Sequence, residues 1–382
     1  MTLYNLGNSQ RFYLLDLTRT VAALCVVLQH YQHFYFLSYN VFPENFTRSQ
    51  QPFYFLLKDF YSFGSVAVQF FFTLSGFIFF FIYNRLIYER KISLKNYFIL
   101  RISRLYPLHI LTLIAVMLLQ FLYYYLNNKY FIHDSNTFEN FILHLFLIQE
   151  WRLNTEWSFN APSWSISVEI LLYIFFFFIS FIGVVKFSKV LFTFLFLFVL
   201  QAILQPKLQN ISVGLLCFYS GGIVYFIFEY LKKKVTNNYK LLIIILILDI
   251  IVFGRFLNLY FLNFQEQVSY LIGDRIFILL FFIKFPLIIL NLALLQTFFV
   301  FLGKPLKLLG DISYTIYLIH FPLELVIEIL NTSFLNINYD SEIFFVIYFL
   351  ILFITSATIF KYYENPLKII IRNKFTNKQP NL

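Results

Sequence analysis

The chain has 382 residues, of which 60% are hydrophobic and 23% aromatic, and only 13% carry a charge. Long apolar runs broken by short polar stretches exclude a soluble globular domain and define an all-α, polytopic integral membrane bundle. The runs are continuous rather than alternating, which excludes a β-barrel. The formal net charge of +10 is therefore a topology signal and not a nucleic-acid surface.

Ten transmembrane helices are predicted, at residues 12–39, 66–88, 99–126, 163–184, 188–205, 211–231, 240–257, 285–302, 312–332 and 342–362. The first run follows a polar segment and is too long for the apolar part of a signal peptide, so no cleavable leader is expected. It contains the stretch RTVAALCVVLQH, from Arg19 to His30. Eleven helical steps turn about 1100°, so the two side chains share a face and stand roughly 16 Å apart along it. Ala23 and Val26 lie between them and are small enough to leave a narrow channel. Asp16, one turn earlier, is placed to orient Arg19. The plainer alternative is a snorkelling Arg19 and a hydrogen-bonded core histidine.

The basic residues sort the loops. Arg85, Arg90, Lys91, Lys95, Arg101 and Arg104 surround the second connection, Lys232–Lys234 and Lys240 another, and Lys304 and Lys307 a third. With these on the cytoplasmic side, both termini are cytoplasmic, and the expected location is the inner membrane. Loops 40–65 and 149–162 hold about as many acids as bases. Residues 138–148 are too short to span and read as re-entrant or interfacial. Residues 268–302 exceed one span, and Lys284 and Pro286 there predict a broken helix. Cys25 and Cys217 fall in apolar runs, so neither a disulfide framework nor a metal site is expected. No loop is long enough for a soluble domain. The chain reads as one membrane domain, with a core at 11–366 and a short basic cytoplasmic tail at 367–382.

Three further stretches carry polar chemistry. In FILRISRLYPLHI, residues 98–110, Arg101 and Arg104 share one helix face, and Pro107 is expected to bend or break that helix. Paired guanidiniums suit a phosphate-rich ligand; alone they also fit a positive-inside anchor. In APSWSISVEILLY, residues 161–173, Ser163, Ser165, Ser167 and Glu169 line up at the outer membrane edge, and Trp164 fits an interfacial belt. Glu169 needs a partner in an apolar helix, and an imidazole such as His30 would serve. In DISYTIYLIHFPL, residues 311–323, His320 reads as a buried, hydrogen-bonded residue.

Taken together these stretches resemble the membrane-bound acyltransferase 3 family, which modifies surface polysaccharides. LLDLTRTVAALCVVLQH is similar to the family's opening LDGLRAIAALLVVLxH, with its Arg-x10-His spacing. FFTLSGF at 71–77, RISRLYP at 101–107, PSWSISVE at 162–169, ISYTIYLIH at 312–320 and ENP at 364–366 are similar to its later motifs, in the same order. Leu17 and Ile170 depart from the pattern, away from the Arg, His and RxxR positions. The resemblance implies acetyl-CoA as a co-substrate rather than a tightly bound cofactor, with Arg19, Arg101 and Arg104 on its phosphates. It implies His30 as general base, Glu169 orienting it or stabilising its charge, and Ser75 donating to the oxyanion, with Asp16, Trp164, Ser165 and His320 in support. A transient acyl-histidine is the alternative route. The implied acceptor is a hydroxyl of a lipid-linked or surface glycan. The expected partners are acyl-CoA, that glycan, membrane lipids and, if the acyl group is handed on, a separate extracytoplasmic transferase. The competing class is a secondary transporter of a small anionic solute, which many spans and buried ionisable residues also suit. A non-catalytic scaffold would tolerate Gln or Asn at His30.

Overall fold

In hydrocarbon each backbone amide must find an internal partner, so the apolar runs become helices. The computed structural model describes residues 11–38, 41–153, 155–183, 185–204, 208–235, 240, 243, 246, 247 and 279–376. Among these residues there is no β-strand, only an isolated bridge between Ser38 and Val41. Seven helical stretches among them are long and apolar enough to cross a membrane. The predicted span at 240–257 lies almost wholly outside the described residues, as do 268–278 and 377–382.

Helix α1 (Tyr13–His30) continues as a single 3-10 turn over Tyr31–Tyr35. It is the most polar of the predicted spans, carrying Asp16, Arg19, Gln29 and His30. The fold encloses it rather than leaving it against lipid: Leu15, Ala23, Val26 and Val27 are fully packed. The second predicted span starts earlier than expected. Helix α2 (Tyr54–Phe63) runs through a 3-10 turn into α3 (Ala67–Phe79), then a π-turn at Phe80–Asn84 and α4 (Arg85–Tyr88). Lys58 and Asp59 lie on its exposed side, so two adjacent charges do not stop the helix.

Helix α5 (Leu94–Asn127) starts where Ser93 Oγ accepts from Asn96 N at 3.2 Å. It runs on through Pro107, so of the expected bend or break the break does not occur. Helix α6 (Phe138–Leu145) is the short segment predicted as re-entrant. Thr137 caps it, and Asn140 and His144 bury its polar face against the neighbouring loops, on Ser135, Ser158 and Ser163. Next come α7 (Trp164–Phe181), α8 (Phe187–Leu204) and α9 (Gln209–Val235). The break predicted near Pro286 is instead a π-turn at Leu280–Lys284 that leads straight into α10 (Phe285–Phe298). The wider turn gives the proline ring room without ending the helix.

Helix α11 (Lys307–Ser333) runs parallel to α1 and pairs with it along its length, with Thr20 Oγ1 donating to Leu309 O at 2.7 Å. Helix α12 (Glu342–Ile359) passes through a π-turn at Phe360–Glu364 into α13 (Asn365–Phe375). The last span thus runs past its expected end at 362, and the first part of the predicted tail is helix. Arg372 holds that helix on α5, donating to Ser103 Oγ at 3.0 Å and Leu100 O at 3.2 Å.

Helices α3 and α9 touch backbone to backbone. A Cβ on Gly76 would fall 1.8 Å from Phe218 O, and one on Gly221 would fall 2.0 Å from Thr73 O. Small residues at such crossings let membrane helices approach, which gives the glycine of FFTLSGF a structural role. Gly221→Ala is expected to force the two backbones apart at a cost of about 1–3 kcal/mol. Thermal unfolding of the detergent-solubilised protein would show this as a lower Tm; an unchanged Tm would mean the helices slide freely.

Candidate active site

A pocket opens inside the bundle between α1, α3, α5, α7 and α11. Its space is about 730 Å³, a figure that takes in the open solvent at its mouth. Helix α1 contributes Arg19, α3 contributes Ser75 between Phe72 and Phe79, and α5 contributes Arg101 and Arg104. Across from them stand Ser165, Glu169 and Tyr173 of α7 and Ser313, Tyr314 and Tyr317 of α11. Six residues singled out from the sequence therefore share one cavity, although they come from four separate helices.

The cations share their surroundings with acids: Glu169 lines the same pocket, and Glu364 of the π-turn before α13 lies near Arg104. Arg19 Nη1 donates to Asp16 Oδ1 at 3.0 Å, and Arg11 holds the other oxygen of Asp16 at 2.6 Å, so Asp16 orients Arg19. Arg101 is buried and donates to Tyr83, while its Nε has no hydrogen-bond partner among the described residues. Among the same residues Arg104 forms no hydrogen bond or ion pair. Lys368 and Arg372 of α13 lie close enough to Arg104 to repel it. In the sequence these two belong to the basic tail; the helical tail brings them near Arg104. A group of guanidiniums with unused donors, facing a cavity, is built to take an anion.

Glu169 is placed differently from expectation. It accepts from Ser75 Oγ at 3.0 Å and from the Tyr173 hydroxyl, not from His30. Ser75 likewise stands among the arginines, its hydroxyl committed to Glu169, rather than beside His30. The reason is register. Glu169 lies one turn beyond Ser165 on α7, toward the arginine end, while Ser165 Oγ meets Tyr317 Oη at 2.8 Å. The expected channel wall is also displaced: Ala23 and Val26 are packed in the core, and Phe71, Phe72, Ser165 and Tyr317 form the wall instead. Trp164 packs edge-on against Phe72 and Trp157, tying the pocket to the outer loops.

His30 finds its partner on α11. Its Nδ1 lies 2.8 Å from His320 Nε2, so one ring donates and the other accepts. Tyr317, at the end of the arginine pocket, is three residues from His320, about 4.5 Å along the axis, with ring centres 6.0 Å apart. The imidazole pair thus lies next to the tyrosine that closes the pocket, without lining it. Two residues that sequence reasoning passed over complete this layer. The His33 ring stacks on His30 at 4.6 Å, and His33 Nδ1 donates to Glu324 Oε2 at 2.8 Å. The signals were present: His30 and His33 are three apart, His320 and Glu324 four apart, and an acid inside an apolar span demands a partner.

The fold and site define a multi-pass membrane protein with an internal anion-suited pocket and, next to its Tyr317, a pair of imidazoles. A profile of the acyltransferase 3 family, described as an acyltransferase domain, matches residues 12–361, and the chain belongs to that family. It is a membrane acyltransferase. Comparisons with curated proteins and with solved structures returned no significant match.

Proposed function

We propose that the chain is an O-acetyltransferase of the inner membrane, moving acetyl from cytoplasmic acetyl-CoA to a sugar hydroxyl of a lipid-linked or surface glycan. The observation that carries this reading is Arg104, a guanidinium without a hydrogen-bond or ion-pair partner among the described residues, beside Arg19 and Arg101 in a pocket whose Tyr317 stands next to the His30–His320 pair. The nucleotide phosphates would lie on these arginines. The extended pantetheine arm would follow the Tyr314–Tyr317 wall and present its thioester at the imidazole pair.

There His30 would act as general base, the side chain type most often found in that role. With Nδ1 engaged by His320, Nε2 is the nitrogen left for the reaction. The acceptor hydroxyl gives its proton to Nε2 while its oxygen bonds to the acetyl carbon. The C–S bond then breaks, and the thiolate takes the proton and leaves as free CoA. An acyl-histidine route would move the same groups in two steps. With the arginine end of the pocket on the cytoplasmic side, the donor would enter there and the acceptor from the opposite face.

The test uses inside-out membrane vesicles from cells that make the cognate glycan and express the full chain. Given radiolabelled acetyl-CoA, they are expected to incorporate label into the saccharide fraction. Vesicles that accumulate a small anion without acylating anything would support a transporter instead, and label in lipid but not saccharide would change the acceptor.

A further inference from the structure

Glu324 is fully buried at the middle of α11, where an aliphatic residue would pack at no electrostatic cost. It is held from several sides. His33, on the turn after α1, donates to one oxygen at 2.8 Å, and Tyr348 of α12 donates to the other at 3.2 Å. His320 stands one turn before it on its own helix and feels its charge. His133, from the loop before α6, faces the same cluster through His33. Among the described residues, Glu324 is the carboxylate that reaches these imidazoles, because Glu169 is engaged in the arginine layer.

We propose that Glu324 is the counter-charge of the catalytic imidazoles: a positioning residue that stabilises the imidazolium formed when His30 removes the acceptor proton. The role rests on the acetyl-transfer reading above. When Nε2 of His30 takes the proton, the positive charge spreads across the 2.8 Å bond to His320. His33, stacked on His30, is a third imidazole and offers no negative charge of its own. Glu324 touches both ends of this set, His33 by hydrogen bond and His320 through the field. In a water-excluded site a fixed carboxylate acts strongly on a charge that appears only during the reaction. The proton returns to the departing thiolate, so Glu324 need not change protonation over the cycle. The carboxylate role expected of Glu169 thus falls to a residue on another helix.

Two substitutions separate charge from architecture. Glu324→Gln keeps one oxygen to accept from His33 and replaces the other by an NH2 that can donate to the Tyr348 hydroxyl, and it removes the charge; Glu324→Asp keeps the charge and stretches the bonds. In the vesicle assay with radiolabelled acetyl-CoA, Glu324→Gln is expected to lower kcat by on the order of 10²-fold, with KM and membrane level unchanged. Glu324→Asp should retain more kcat than Glu324→Gln. A glutamine variant as active as the aspartate one, or as wild type, would overturn the role and leave a structural bridge. If the glutamine variant fails to accumulate, an aspartate variant at wild-type level that has lost most of its kcat would overturn it equally. Wild-type vesicles that transfer no acetyl would remove the underlying reading itself, a distinct result.

Discussion

Replacing His30 with alanine is expected to abolish acetyl transfer, lowering the rate by about 10²–10⁴-fold, the usual contribution of a general base. The structure makes His30 the link between two layers. It leans on His320 and His33, and His320 in turn lies against Tyr317 of the arginine pocket. Alanine would also strand His320 Nε2, so His30→Gln is the needed companion, since it keeps a polar side chain without a basic nitrogen. Glycan O-acetyl content by NMR, at matched membrane levels, reads the outcome. Loss in both variants with the protein still present supports the base. Full acetylation in the glutamine variant would remove His30 from the chemistry.

The second large effect is expected at the arginines. Because Arg104 bonds to nothing else among the described residues, its removal should cost the fold little and the donor much. A charge-assisted hydrogen bond contributes about 1.5–3 kcal/mol, so Arg104→Ala should raise the KM for acetyl-CoA roughly tenfold to a hundredfold, with kcat largely kept. Arg101→Ala should add to this. It also releases the Tyr83 hydroxyl, so part of its effect is structural. Acetyl-pantetheine, a donor without the nucleotide phosphates, provides the control. Its KM should not respond to Arg104→Ala. A parallel rise for both donors would mean that the arginines shape the pocket rather than bind phosphate.

The architecture was legible because its physics is local. Runs of apolar residues become membrane helices wherever they occur, so most of the predicted spans recur with shifted ends. The shifts have local causes too: Lys58 and Asp59 sit on one exposed face, and π-turns absorb Pro286 and open into the tail helix. The anion pocket was half legible. Arg101 and Arg104 are neighbours on one helix, and Asp16 with Arg19 is an i,i+3 pair, so spacing alone joined them.

What spacing could not supply was the pairing between helices. Glu169 and His30 are both polar residues on buried faces, and the chain order permits them to meet. Only the depth of each residue along its own helix, set when α7 and α11 pack, sends Glu169 to Ser75 and Tyr173 and leaves His30 to His320. Lys368 and Arg372 look like any basic tail until α13 folds against α5. By itself the sequence determined the membrane class, the approximate spans, the family motifs and the local cation pairs, because each depends on residues within a turn or a span of one another. Tertiary structure alone decided which carboxylate serves which cation or imidazole, since a one-turn offset between packed helices, about 5.4 Å, is longer than the reach of a hydrogen bond.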